Sequence, residues 1–409
     1  MSPNKTLQGI YALQVFPERE HPPSRRAMHE AVFEAGWDSD RLARQHRQVI
    51  ASDDRGRGRV VLSLDWTFAH HARGVRMYGV KKGYDSVQKG MRQYQTVLTA
   101  VVANAERFDG VETVVPPPTF EQEEKAYLKA TDKKQDDSQH ELRQRLIELF
   151  SYEVHRKAYK TRTELFLELV QQLEAEGQFP DADDVFDNGV LSRPVTAYIE
   201  QCGKYWLSEL EKSRNVCWQG QWRRVDAIAE ALRRDHPEAF RKHTATLRKG
   251  ETRTCWIFSK VVRLKRDSKL RLFIVHDEQD LRDPPQYLVT NALHWEGTKA
   301  IQTWSYRWTS EVLHAFGKQC TGFEAAQVRK EEAVIRHFRL SCVAQSILQR
   351  VSPEGSTSEK FAFADGTVTC GQRLKAIVRE VFRTVLTFAR HLFEEGKSCQ
   401  HVLEILMPA

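Results

Sequence analysis

Paired cysteines are missing from this chain. Its seven cysteines, at positions 202, 217, 255, 320, 342, 370 and 399, include no CxxC pair, which disfavours structural zinc and leaves scattered, reduced thiols as the expectation. Long apolar runs are missing too: no stretch approaches the roughly eighteen residues of a membrane span. The N-terminal MSPNKTLQGIYALQ lacks a cleavable leader pattern, so the expected location is cytoplasmic, with no membrane partner. The Gly-rich GxxxxGKS loop is also absent, which argues against a nucleotide cofactor or a nucleotide-driven motor. There is no internal repeat and no low-complexity tract.

What is present is length, charge and tryptophan. A chain of 409 residues can bury a large core and, as a prior, form two or three domains. Net charge is +7, with 62 Lys+Arg against 55 Asp+Glu, a balance that favours a polyanionic partner. The nine Trp suit stacking on bases, although most belong in a core.

Along the chain, a helix over 25–35 and a second over 42–50, capped by Asp38, precede a polar Gly-rich linker at 53–59. Strands are expected at 59–68 (RVVLSLDWTF), 75–80 and 95–104, the last apolar and β-branched enough to be central. Residues 120–177 read as charged helix with a break near 133–138, and Leu165, Leu169 and Leu173 form a helical stripe. A short strand at 184–187, a helix at 194–201 and a strand at 204–210 follow. Next comes a strand-rich block with strands at 253–264, 270–276 and 287–293, then helices to the end. Three strands, helix, strand, helix, strand is the order of an RNase H-like α/β core, a mixed sheet flanked by helices.

Three acids stand out: Asp65 on the first strand, Asp187 closing the fourth, and Glu311 on the helix after the strand-rich block. Each sits in apolar surroundings, where clustered carboxylates are costly without a neutralising cation. Two hard divalent ions bridged by acidic oxygens meet that need and are a common device for attacking a phosphodiester. Around Glu311, the run WSYRWTSEVLHAFGKQ spaces Trp304, Arg307, Glu311 and Lys318 by three, four and seven residues. This spacing predicts that all four project from one face of one helix. Arg263 and Lys265, in a basic hairpin, are candidate phosphate contacts. Trp256 and Trp295 are candidate stacking residues, and His70 and His71 weak metal candidates, since neighbours on a strand point apart.

The aromatic–Arg–Glu–Lys stripe closely resembles the signature helix of insertion-sequence transposases of the DDE superfamily, with Trp304 in the slot usually held by Tyr and Tyr306 two residues on. LSLDWTF resembles their first-Asp strand and VFDNG their second. YLVTN, the stripe and the tail QVRK…RHFRL resemble their C-terminal catalytic block. The resemblance covers roughly residues 37–349. It implies a helical N-terminal region (1–57), an RNase H-like core in two parts (58–210 and 301–350) split by a β-rich insertion (211–300), and a helical C-terminal region (351–409). It further implies a metal-dependent DNA endonuclease and strand transferase acting on terminal inverted repeats, by cut-and-paste. Asp65, Asp187 and Glu311 would hold two Mg²⁺ ions, with Mn²⁺ able to substitute. Trp304, Tyr306, Arg307 and Lys318 would engage DNA. The implied partners are double-stranded DNA, as element ends and target, and a second copy of the chain on paired ends, in a bacterial-type, nucleoid-associated setting. The alternative is a domesticated, non-catalytic DNA-binding descendant of such an enzyme.

Overall fold

The computed structural model describes residues 23–54, 58–71, 76–85, 88–117, 159–265, 269–350 and 370–406. Residues 120–158 of the helical stretch expected over 120–177 therefore lie outside the described residues. The chain divides into two compact units. The first comprises Met1–Ile50, Arg107–Thr113 and Glu311–Ala409, and the second Ala51–Glu106 and Val114–Ser310.

A short helix, Arg25–His29, widens into the looser turn Glu30–Glu34. Helix α1 (Ser39–Asp54) begins where the Asp38 carboxylate accepts the N–H groups of Asp40 and Arg41, both at 2.9 Å. This is the cap expected from sequence. Strands β1 (Val61–His70), β2 (Val80–Asp85), β3 (Gly90–Ala103) and β4 (Phe108–Val114) follow. In β3, Val97, Leu98 and the run 100–103 are fully buried, as a central strand requires. Strand β2 begins where the reading of 75–80 ends. Its VKKGYD has no apolar run, and backbone pairing with β3, from Val80↔Gln95 to Asp85↔Gly90, fixes it instead. The sequence reading has no counterpart of β4.

Helix α2 (Arg162–Glu176) opens on a Thr161/Glu164 capping box and ends on Gly177 at φ 61°. It buries the expected Leu165–Leu169–Leu173 stripe. Strand β5 (Asp183–Phe186), helix α3 (Arg193–Gln201) and strand β6 (Trp206–Glu209) form close to their expected places. In the block that follows, β7 (Asn215–Trp218), β8 (Gln221–Arg224), α4 (Val225–Asp235) and β9 (Arg241–Thr246) are additional to the reading. Strands β10 (Thr252–Leu264), β11 (Lys269–His276) and β12 (Gln286–Thr290) match it. The β7–β8 hairpin turns on Gln219 and Gly220, both at positive φ (50° and 82°), the two-residue geometry that suits the twist of paired strands. Helices α5 (Gly297–Trp304), α6 (Trp308–Phe316), α7 (Glu331–Arg350), α8 (Cys370–Glu394) and α9 (Cys399–Leu406) complete the order.

The second unit is built on a mixed sheet in the order β2-β3-β1-β5-β6-β12-β11-β10-β7-β8, with β9 on β10. Strand β1 is antiparallel to β3 and parallel to β5, and β5 is parallel to β6. Strand β12 pairs antiparallel with β6, so the strand-rich block continues the same sheet. Helix α2 covers one face, where Phe166 meets Phe186 with ring centroids 5.5 Å apart. Helix α5 covers the other: a Cβ on Gly297 would lie 2.7 Å from Ile257 and 3.2 Å from the His243 ring. Any larger residue there would push the Ile257 side chain and the His243 ring aside. The described residues thus give an α/β fold with a large mixed sheet flanked by helices.

In the first unit, α1, the segment 107–113 and α7 surround a buried charge network. Arg47 and Glu112, with side chains 0% and 1% exposed, pair at 2.7 Å. Arg339 joins Glu112 at 3.0 Å to Asp40 at 2.6 Å. Arg336 donates to the carbonyls of Ala35 (2.7 Å) and Trp37 (2.8 Å) and stacks over the Trp37 ring. Among the described residues, no helix is long and apolar enough to cross a membrane.

Candidate functional site

The register of the three parallel strands sets the site. Leu64 of β1 pairs with Phe186 of β5, and Phe186 with Ser208 of β6. The next residues on these strands are Asp65, Asp187 and Glu209. Neighbouring strands lie about 4.8 Å apart, and side chains one step on from an in-register row share a face. Two expected acids thus fall side by side where the parallel pairing of β1 with β5 ends, Asp65 midway along β1 and Asp187 one residue past β5. Glu209 extends the row. The sequence reading passed over it because LSEL contains no turn or catalytic motif; only the register of β5 on β6 reveals it.

Each aspartate is held locally. The Asp65 carboxylate accepts the Trp66 N–H at 2.8 Å and lies 3.5 Å from the Arg307 guanidinium. Asp187 accepts the Gly189 N–H at 2.9 Å, and the Ser208 hydroxyl donates to the Asp187 carbonyl at 3.1 Å. Burial raises the Glu209 carboxyl above the ordinary carboxylate range; the positive charge of Arg307 opposes this and Asp187 adds to it. Arg307 therefore stands electrostatically between the two ends of the row. Ser63, one turn of the pleat before Asp65, meets the Ser310 hydroxyl at 2.8 Å and fixes the 307–310 segment against β1.

The signature stripe does not lie on one helix. Helix α5 stops at Trp304 and α6 starts at Trp308, while Lys318 sits in a wider turn, Gly317–Thr321. Between the helices the bonding tightens to i→i−3: Tyr306 to Thr303, Arg307 to Trp304, Thr309 to Tyr306 and Ser310 to Arg307. Hydroxyls support the break, Ser305 donating to the Gln302 carbonyl and Thr309 to that of Tyr306, both at 2.7 Å. Such local bonds compete with the α pattern. Trp304 and Tyr306 are buried, and Arg307 stacks over the Trp304 ring with 5.3 Å to its centroid. The exposed aromatic of this segment is Trp308, 59% exposed, which the sequence reading did not select. Glu311 lies on α6, and Lys318 pairs with Glu324 at 3.2 Å.

Other candidates find separate partners. His70 meets Asp85 at 2.7 Å and His71 meets Gln95 at 2.8 Å, so the two rings diverge as strand neighbours should. Asp183 bonds Arg59 at 2.5 Å, while Asp184 faces away from the row and is fully buried. Trp295 is buried between Arg59 and Lys299, with 5.1 and 5.9 Å to its centroid, leaving no open face for a base. Arg263 and Lys265 are exposed at the end of β10.

The donor set Asp65, Asp187 and Glu209 is all oxygen and suits a hard divalent cation. As the side chains stand, no group of three or more His, Cys, Asp or Glu among the described residues is gathered closely enough to hold one. No protein-family model matches the sequence. No curated protein matches it either.

Proposed function

We propose that this protein is a DDE transposase, a metal-dependent endonuclease and strand transferase acting on DNA ends through an RNase H-like core. The observation that carries the reading is the placement of Asp65 and Asp187 in one row where the parallel strands β1 and β5 stop pairing, with Arg307 at 3.5 Å from Asp65. The sheet order, with central β1 flanked by antiparallel β3 and parallel β5, and parallel β6 beyond β5, supports the core assignment. Asp65, Asp187 and, by its place in the signature, Glu311 would hold Mg²⁺ or Mn²⁺. When bound, the ions supply charge neutralisation and activation of the attacking oxygen.

The chain's own residues do the rest. Arg307, stacked on Trp304, presents a rigid cationic fork suited to the two free oxygens of a scissile phosphate. Lys318 adds a point charge for the flanking backbone. The Ser63–Ser310 and Ser208–Asp187 contacts hold strand ends and the Arg307 segment in fixed register, so that positioning is already in place before substrate arrives. Double-stranded DNA, as element ends and target, and a second copy of the chain are the proposed partners, and cut-and-paste the proposed route.

A non-catalytic DNA-binding descendant is the second reading, favoured by the absence of a gathered three-ligand cluster among the described residues. Product analysis separates the two. A duplex carrying the inverted repeats that flank the coding sequence is incubated with Mg²⁺ or Mn²⁺. Nicked or hairpin-ended products that vanish with chelator and with Asp65→Asn, Asp187→Asn or Glu311→Gln support the enzyme. Retention of the duplex without any scission supports the binder.

A further inference from the structure

The face of the sheet that carries the acid row does not end there. Register follows it outward: Glu209 opposes Leu288, Leu288 opposes Phe273, and Arg271, on the same face as Phe273, opposes Thr290 and Val261. One row further, Lys269 opposes Arg263, Arg263 opposes Cys217, and Cys217 opposes Trp222 on the edge strand β8. Because side chains alternate, all of these lie on the face of Asp65, Asp187 and Glu209.

Helix α5 shields this face at Ile257, but beyond it the face opens to solvent. Val261 is 39% exposed and Trp222 52% exposed, and Arg263 and Lys269 are exposed beside them. The reverse face of the same strands, with Val216, Val262, Leu264 and Leu270, is buried. An indole on an edge strand, half out in water, contributes little to folding. Its neighbours on the open face are cations: Arg263 and Lys269 in its own row, Arg271 one row on, Lys265 at the strand end and Arg224 along β8. Arg224 is partly neutralised by Asp226 at 2.5 Å, and Arg271 is braced by the Leu293 carbonyl and the Ser259 hydroxyl.

We propose that this open face binds single-stranded DNA, its phosphates on Arg263, Lys269 and Arg271 and an unpaired base stacked on Trp222. The aromatic chooses the occupant. A flat ring flanked by cations on a sheet is a stacking platform, and a base inside a duplex cannot offer its π face to it. The inference rests on the phosphodiester reading for its substrate class. It extends that reading by giving the unpaired strand beside the reacting end a track leading away from the acid row. Strands about 4.8 Å apart and residues about 3.3 Å apart along them put Arg271 on the order of 10 Å from Glu209, and Arg263 nearer 20 Å. A few nucleotides of extended strand span that interval.

The test is fluorescence anisotropy of a short labelled oligothymidylate with the full chain, in chelator so that no cleavage intervenes. Trp222→Ala should weaken binding about tenfold, and Trp222→Phe should restore most of the loss. The double variant Arg263→Ala/Lys269→Ala should lower the log–log salt slope by roughly 1.4, two single-strand phosphate contacts' worth. Melting temperatures should stay at the wild-type value, since these side chains are exposed. Unchanged affinity and slope in all three variants overturns the proposal. So does a pattern in which Trp222→Ala is silent and the double variant weakens only duplex binding. Strand binding lost while the wild-type chain still cleaves duplex ends would sink this proposal alone. Strand binding intact with no cleavage under any metal would instead sink the enzymatic reading.

Discussion

Replacing Asp184 by Asn should make the second unit more stable at and above neutral pH. Asp184 lies on β5 with its side chain on the α2 face, fully buried, and neither carboxyl oxygen has a hydrogen-bond partner in the structure. Burial raises its carboxyl from an ordinary value near 3.8 to about 7, Lys204 opposing the rise and Glu174 and Asp183 adding to it. The nearby cation is already committed: Lys204 and Glu174 pair at 2.5 Å with side chains only 6% and 13% exposed. A second carboxylate there would leave a net negative charge in a low-dielectric interior, so the proton stays.

The sign follows from linkage. The unfolded chain loses this proton near pH 3.8 and the folded chain near pH 7. Between those values the folded state holds one more proton, so stability falls as pH rises and levels off above pH 7. A shift of that size corresponds to roughly 4 kcal/mol lost across the window. Asn is nearly isosteric and never ionises, so it should remove most of this slope, offset by about 1–3 kcal/mol for its own unsatisfied amide. Thermal melts at several pH values between 4 and 8 would show Asp184→Asn above wild type at pH 8 and below it at pH 4. A melting temperature lowered equally at every pH would refute the reasoning. It would mean that Asp184 is ionised and partnered in the folded chain.

Arg307→Lys should cut strand cleavage on the order of tenfold or more, because an ammonium cannot reproduce a bidentate fork or the stack on Trp304; cleavage at the wild-type rate would detach Arg307 from the site. Lys318→Ala breaks a half-exposed pair with Glu324 and should cost less than about 1 kcal/mol in a denaturant melt, yet slow turnover of end-containing DNA; if turnover holds, Lys318 is structural only. Arg47→Ala removes one of the cations that hold the buried Glu112 carboxylate, leaving Arg339 beside it, and should destabilise the first unit by about 3 kcal/mol, the low end for breaking a buried pair, read as an early transition in differential scanning calorimetry, whereas an unshifted profile would show the network to be dispensable.

The parts of the fold written in apolar runs or caps were legible: β1, β3, β10 and β11 by their β-branched content, α1 by Asp38, and α2 by its leucine stripe. The parts fixed by pairing alone were not. VKKGYD and QWRR carry no apolar signal, and each becomes a strand because a neighbour offers backbone partners. The same rule divides the site. Asp65 and Asp187 could be read from their apolar strand contexts, although β1 runs on past Asp65 to His70, whereas Glu209 required the register of three strands. The helical stripe was misread in one respect. Spacing of three and four assumes unbroken α geometry, and Ser305 and Thr309 hydroxyls capture carbonyls within that run and tighten it.

That break has a chemical consequence. On a continuous helix, Arg307 would follow Trp304 around the same stripe as an exposed neighbour, free to sample solvent. With α5 ended at Trp304, Tyr306 turns inward, the Arg307 guanidinium lies over the Trp304 ring, and its tip reaches Asp65. A cation held between an aromatic face and a carboxylate loses less freedom when it engages a phosphate than a mobile surface arginine does, because its rotamer is already chosen. The acid row and its cation therefore meet through a helix interruption rather than through helical periodicity. The charge pattern of the sheet face follows from the same construction. Carboxylates occupy the row where the parallel strands stop pairing, and cations take over where α5 no longer covers the antiparallel extension. A polyanion laid along that face would be repelled at the row unless divalent ions or Arg307 neutralised it, and would be held beyond it. Binding along the face should therefore depend on monovalent salt throughout its length, while engagement at the row alone should depend on divalent ions.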